Sequence, residues 1–195
     1  MWKKCECQQP RIKHAGKIDL FVGLLAVFIV TLVMFVCLKV SHFMIAGAYV
    51  EDALAASNLA SALVDIEEYG KSHTLRIADP QESYEIYKEA LAINLQLDEE
   101  GQSLQKELLA GTVKILDYRV YNVNGNTVDV FTLTEGGTVQ KTLSGENGQI
   151  YTPDGILVET TTVYSRISFG VKGLGQQYIY AEKEKSVDVK RNEEE

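Results

Sequence analysis

The sequence predicts an α+β protein in which helix comes first and antiparallel sheet second, and three observations carry that reading. No Pro interrupts the chain from Leu20 to Gly70, and apolar residues keep returning to one side over that stretch. Asp79-Pro80-Gln81-Glu82 then opens a second helix, and from Thr112 onward the hydrophobic period drops from helical to two, with turn residues punctuating it.

The first element begins with an uncharged run of 19 residues, Leu20 to Leu38, of which 14 are Leu, Ile, Val or Phe. As a helix it reaches roughly 28 Å, close to a hydrocarbon core of about 30 Å, so it is long enough to cross a membrane once. Lys3, Lys4, Arg11, Lys13 and Lys17 precede it with Glu6 as the counter-charge, and such positive flanks stay cytoplasmic. From Val40 onward the chain carries 13 basic and 25 acidic residues. The expectation is a single-pass protein of the cell membrane, N-terminus inside and acidic C-terminal domain outside. A cleaved signal ending at Ala46-Gly47-Ala48 fits less well, because signal cores run only about 7 to 15 residues and lie close to their cleavage site.

The expected organisation is a basic leader over 1–17, a long helix over 18–70 (span 20–38, stem 39–70), an outer domain over 71–190 and a charged tail over 191–195. Helix should run from about Ile18 to Tyr69. In the stem, Ala53, Ser57 and Ser61 form one line of i+4 neighbours and Ala56 and Ala60 another beside it; small side chains let a second helix approach. The outer domain or other subunits could use either line.

Asp79 is an N-cap, Pro80 a first helical residue and Glu82 an acid in the first turn; Tyr84, Tyr87, Leu91 and Leu95 share a face, with Ile86, Ala90 and Ile93 beside it. Val113 and Ile115, then Tyr118 and Val120, read as a strand with a bulge near Leu116. Asn124-Gly125 turns it into a partner carrying Val128 and Val130. Further turns fall at Glu135-Gly136-Gly137 and Pro153-Asp154-Gly155, a half-buried strand is expected over Ile156–Val171, and after Gly173 and Gly175 the last strand runs from Gln177 to about Val189.

Chemistry is sparsely signalled. The net charge of -8 argues against nucleic acid, which needs a basic face. His14, His42 and His73 are far apart in the chain, and Cys5, Cys7 and Cys37 lie in or before the span, so no catalytic, cofactor or metal residues are assigned. Asn122, Asn124, Gly125, Asn126 and Asp129 resemble a calcium loop too faintly to displace a plain hairpin. Gly170, Gly173 and Gly175 read as a flexible connection, and Tyr178 and Tyr180 as packing or an exposed contact.

A short basic leader ending in Gly16, an acid soon after, a long apolar helix running into a small-residue stem, and a C-terminal sheet together resemble type IV pilin-like proteins, closest to the TadE-like minor pilins of tight-adherence (Flp) pilus systems. The resemblance implies a leader cut after Gly16 by a prepilin peptidase, Lys17 as the new terminus, and Asp19 in place of the family's early Glu. The family's acid usually stands at the fifth mature position, which here is Phe21; an N-cap role for Asp19 stays open. The implied function is that of a minor pilin or pseudopilin assembling through its N-terminal helix with similar subunits in a pilus or secretion apparatus. The alternative is an uncleaved, membrane-anchored extracellular binding or sensor module. Neither reading is enzymatic or needs a cofactor.

Overall fold

The computed structural model describes residues 15–173 and 177–190. The leader residues 1–14, with Cys5, Cys7 and His14, lie outside the described residues, as do Gly175 and the 191–195 tail. The chain divides into two compact units, Met1–Ser41 and His42–Glu195.

Helix α1 spans Ala15–Ser61. Within the first unit its apolar side chains from Leu20 to Leu38 are exposed all round, and Asp19–Ser61 is long and apolar enough to cross a membrane. Because α1 already starts at Ala15, Asp19 sits inside the helix and is not its N-cap. Helix was expected as far as Tyr69, but α1 stops at Ser61. Asp65 is the cause: its carboxylate accepts from the backbone N–H of Glu68 (2.9 Å) and caps a separate helix, α2 (Ile66–Ser72). An N-cap needs extended backbone, so helix cannot run through it. Val64 uses that extended geometry to pair with Ile77, and Asp65 N–H donates to Arg76 O at 2.8 Å.

Helix α3 (Pro80–Asn94) begins where the sequence marks it, with Asp79 Oδ1 accepting from Gln81 N (2.8 Å) and Glu82 N (3.2 Å). Its apolar face buries Tyr84, Tyr87 and Leu91. Five strands follow: β1 (Ala110–Asn124), β2 (Thr127–Leu133), β3 (Val139–Glu146), β4 (Thr162–Lys172) and β5 (Tyr178–Asp188). They form one antiparallel sheet in the order β3-β2-β1-β4-β5. The β1–β4 register slips between Ile115 and Asp117, at the expected Leu116 bulge, and Asn124 pairs with Thr127 across a turn in which Gly125 adopts φ 58°, a conformation that favours glycine.

Strand β4 starts at Thr162, not Ile156, because Pro153-Asp154-Gly155 makes a small hairpin in which Tyr151 pairs with Leu157 and Val158 N donates to Ile150 O (2.9 Å). That connection folds over the sheet, so β4 is covered on both faces and is not half-buried. On one face Tyr118, Val120, Val163, Ile167 and Phe169 pack with Ala46, Val50 and Leu54 of α1 and Tyr87 and Leu91 of α3. On the other, Tyr121, Val128, Val130 and Tyr164 close under Val158 and Ile150. Gly170 also lies inside β4, paired with Ala110, and is no flexible connection.

Candidate assembly surface on the long helix

The two small-residue lines of the stem have different environments. Ala53, Ser57 and Ser61 are buried against the chain's own domain. Ser57 Oγ donates to Ala53 O (2.7 Å) and accepts from Asn94 Nδ2 (3.0 Å), tying α1 to the end of α3. Ser83 Oγ donates to Ser61 O (2.7 Å), and the Tyr118 hydroxyl stands 2.6 Å from Ser83 Oγ and 3.2 Å from Ser61 Oγ. Small side chains are needed here because hydroxyls from helix and sheet meet in one buried cluster, and each buried polar group must find a partner.

Ala56 and Ala60 remain exposed. Met44, Ala48, Asp52 and Leu59 are exposed with them at three- and four-residue steps, so one face of α1 is left open. Leu59 keeps 64% of its surface. The open face is low in relief and mostly apolar, the kind of surface on which another helix can lie closely.

Between these faces α1 is fixed to the sheet edge. Asn58 Nδ2 donates to Lys185 O (2.8 Å), satisfying an edge carbonyl of β5. Glu51 accepts from Lys183 and Lys185, both at 2.9 Å. Hydrogen bonds from those two ammonium groups, with their charge adding, hold the Glu51 carboxyl down to about 2. A lowered folded pKa contributes stability above the unfolded value of about 4.3, and that contribution is lost as pH falls toward 2. The site is 40% exposed, so solvent screening limits the pair to about 1 kcal/mol. Glu51→Gln should therefore lower the unfolding free energy by about 1 kcal/mol at pH 7. In urea titrations the gap to wild type should close between pH 4.5 and 2, and shrink in high salt.

Gly16 and Lys17 fall in the first turn of α1, with Asp19 exposed just after them. Asn122, read as a faint calcium-loop member, is committed elsewhere: its Oδ1 accepts from Ile77 N (2.9 Å) and its Nδ2 donates to Ile77 O (3.0 Å). A cleft of about 550 Å³ opens at the end of the domain away from His42, lined by His73, Thr74, Glu159, Thr160 and Lys190 among others. Sequence reasoning missed the Glu51 clamp and this cleft, since both join residues distant in the chain; the only local signal nearby was the Asp65-x-x-Glu68 cap.

The class defined by these observations is an α+β domain built around the second half of a long helix whose first half is apolar and unburied. Comparisons with protein-family models, curated proteins and solved structures find no match for this chain.

Proposed function

We propose that this protein is a single-pass membrane protein of pilin-like type, a minor pilin or pseudopilin that works by assembly through α1 with similar subunits, its sheet domain held outside the cell. One observation carries the reading: α1 uses the Ala53, Ser57, Ser61 line for its own domain and leaves the Ala56, Ala60 line open, continuous in sequence with an apolar run that has no cover in the isolated chain. Apolar side chains exposed along that length need lipid or neighbouring helices around them. If Gly16 is the processing site, Asp19 becomes an acid near the new amino terminus, and a charge in lipid needs a partner, which the freed amine of a neighbouring subunit supplies.

Two measurements test this. Protein recovered from membranes should begin at Lys17, and Gly16→Leu should retain Met1; Met1 present in both, with intact masses that differ only by the exchanged side chain, would dismiss processing. In membranes, cysteine at Ala56 or Ala60 should cross-link two copies, whereas cysteine at the buried Ala53 should not. Cross-links absent from Ala56 and Ala60 would overturn assembly through this face.

The second reading, an uncleaved anchored binding or sensor module, is favoured by the cleft beside His73, whose lining mixes an imidazole, a carboxylate, an ammonium group and hydroxyls. Under that reading Gly16→Leu changes nothing, and substitutions lining the cleft impair function.

A further inference from the structure

In a domain where acids outnumber bases, most lysines find a carboxylate. Lys71, Lys88, Lys141, Lys183, Lys185 and Lys190 each have one at 2.6 to 3.4 Å. The remaining lysines of the domain, Lys106, Lys114 and Lys172, have no ion-pair partner among the described residues. They gather at one place on the sheet. Lys172 pairs with Tyr178 and Gly170 with Tyr180 across β4 and β5, and Lys114 of β1 pairs with Ser168. Lys106 and Lys172 line a pocket of about 310 Å³ with Tyr178 and Gly111, and Lys114 lines the adjoining one with Tyr180 and Thr112.

The Tyr180 ring separates the two pockets and lies across bare backbone: its hydroxyl is 3.1 Å from an ideal Cβ on Gly111 and its Cε1 is 3.5 Å from one on Gly170. Tyr178 and Tyr180 keep 56% and 63% of their surface exposed. The carboxylate that shares this row, Glu182 opposite Ser168, stands 3.9 Å from Arg166. Unpaired cations grouped around exposed rings suit a partner that carries anions with apolar groups between them.

The chain itself carries such a stripe. Glu82, Glu85 and Glu89 are exposed at three- and four-residue steps along α3, with Ile86 and Ile93 on the same side, away from the buried Tyr84, Tyr87 and Leu91. Lys88 reaches only Glu85, in solvent, where an ion pair is weak and easily exchanged. At helical rise Glu82 to Glu89 spans roughly 10 Å. From the Ser168 row to Lys172 the sheet spans roughly 13 Å, so the charged rows are of similar length. Helix α3 packs on the face of the sheet that holds Ile167 and Phe169, with which Ser168, Gly170 and Lys172 alternate. The acidic and basic rows therefore lie on opposite sides of the domain.

We propose that the Lys106, Lys114 and Lys172 patch binds the Glu82, Glu85 and Glu89 stripe of a second copy of this chain, with that copy's Ile86 and Ile93 against Tyr178 and Tyr180. This rests on the reading that the protein works by assembly with similar subunits, and it adds a contact separate from the open face of α1. With the rows on opposite sides, no copy satisfies its own patch. The contact is head-to-tail, and each copy offers a free patch and a free stripe to the next, so the array grows instead of closing as a pair.

The test uses the full chain in phosphatidylcholine vesicles, treated with a carbodiimide that condenses a lysine amine with a touching carboxylate. Mixing isotope-labelled and unlabelled protein identifies links between copies. Wild type should link Lys106, Lys114 or Lys172 to Glu82, Glu85 or Glu89 of another copy, less so in high salt. Lys114→Glu with Lys172→Glu should lower the cross-linked yield about tenfold, and so should Glu82→Lys with Glu89→Lys, because like charges then meet. Mixing these two variants should restore the yield. Reversals without effect overturn the proposal, and so does a loss that mixing does not rescue in variants whose circular dichroism matches wild type. If cysteine at Ala56 still cross-links in either case, assembly stands without this contact; if neither kind of link forms in wild type, assembly and this contact fall together.

Discussion

Tyr87→Ala is expected to lower the unfolding free energy of the domain by about 3 to 5 kcal/mol, the usual loss when a large aromatic is cut from a packed core. Tyr87 is fully buried, its ring centroid 4.9 Å from that of Tyr118, and it sits where α3 meets the sheet. Against a total stability of about 5 to 15 kcal/mol the variant should be largely unfolded in moderate urea. Removing only the hydroxyl separates the two tyrosines. Tyr87 Oη and Ser165 Oγ are both buried without a hydrogen-bond partner; they influence one another electrostatically but miss hydrogen-bond geometry. Burial, above all, pushes the Tyr87 phenol well above its ordinary value. Tyr87→Phe should therefore cost less than about 0.5 kcal/mol or stabilise slightly, since an unpaired buried hydroxyl gains nothing. Tyr118→Phe should cost about 1 to 2 kcal/mol, because its hydroxyl joins Ser83 and Ser61. Equal losses for the two Phe variants in urea unfolding, followed by near-ultraviolet circular dichroism, would contradict this division.

The elements readable from the sequence are those whose cause is local. Asp79-Pro80 carries its own cap, Asn124-Gly125 its own turn, and the break in alternation at Leu116 its own bulge, so each appears where neighbouring residues alone require it. Helix α2 has a local signal too, since Asp65 with Glu68 is a capping pattern, but the apolar periodicity running across it masks the break. Strand β3 is an edge strand with both faces mostly exposed, and without a buried side it has no period to detect. Between Ile156 and Thr161, Val158 is buried because it covers the far face of the sheet, and that apolar position imitates a strand.

At the candidate surface, spacing defines two small-residue lines but cannot say which one the chain's own domain takes. That choice depends on where α3 and β5 lie around α1: Ser83 and Asn94 reach Ser61 and Ser57 from one side, and Lys183 and Lys185 reach Glu51 from more than a hundred residues away. The resemblance to pilin-like chains rests on the order of segments; cross-linking tests the stem face and N-terminal sequencing tests the leader.

Gly170→Ala should cost about 3 kcal/mol or more, beyond the ordinary range for a single added methyl. An ideal Cβ at this position would lie 2.2 Å from the carbonyl oxygen of Ala110. The obstacle is backbone of the neighbouring strand, so no rotamer change can relieve it. Relief requires β1 and β4 to separate where Ala110 pairs with Gly170, at the irregular end of their ladder. Gly125→Ala makes the useful contrast. It meets no atom within 4 Å and pays only for its φ of 58°, about 1 kcal/mol in an exposed turn. The effect of Gly170→Ala should also reach the neighbouring strand, because Gly170 pairs with Tyr180 on its other side and Tyr180 Cε1 lies 3.5 Å from the same Cβ position. In urea unfolding Gly170→Ala should therefore lower the midpoint strongly, whereas Gly125→Ala should lower it only slightly.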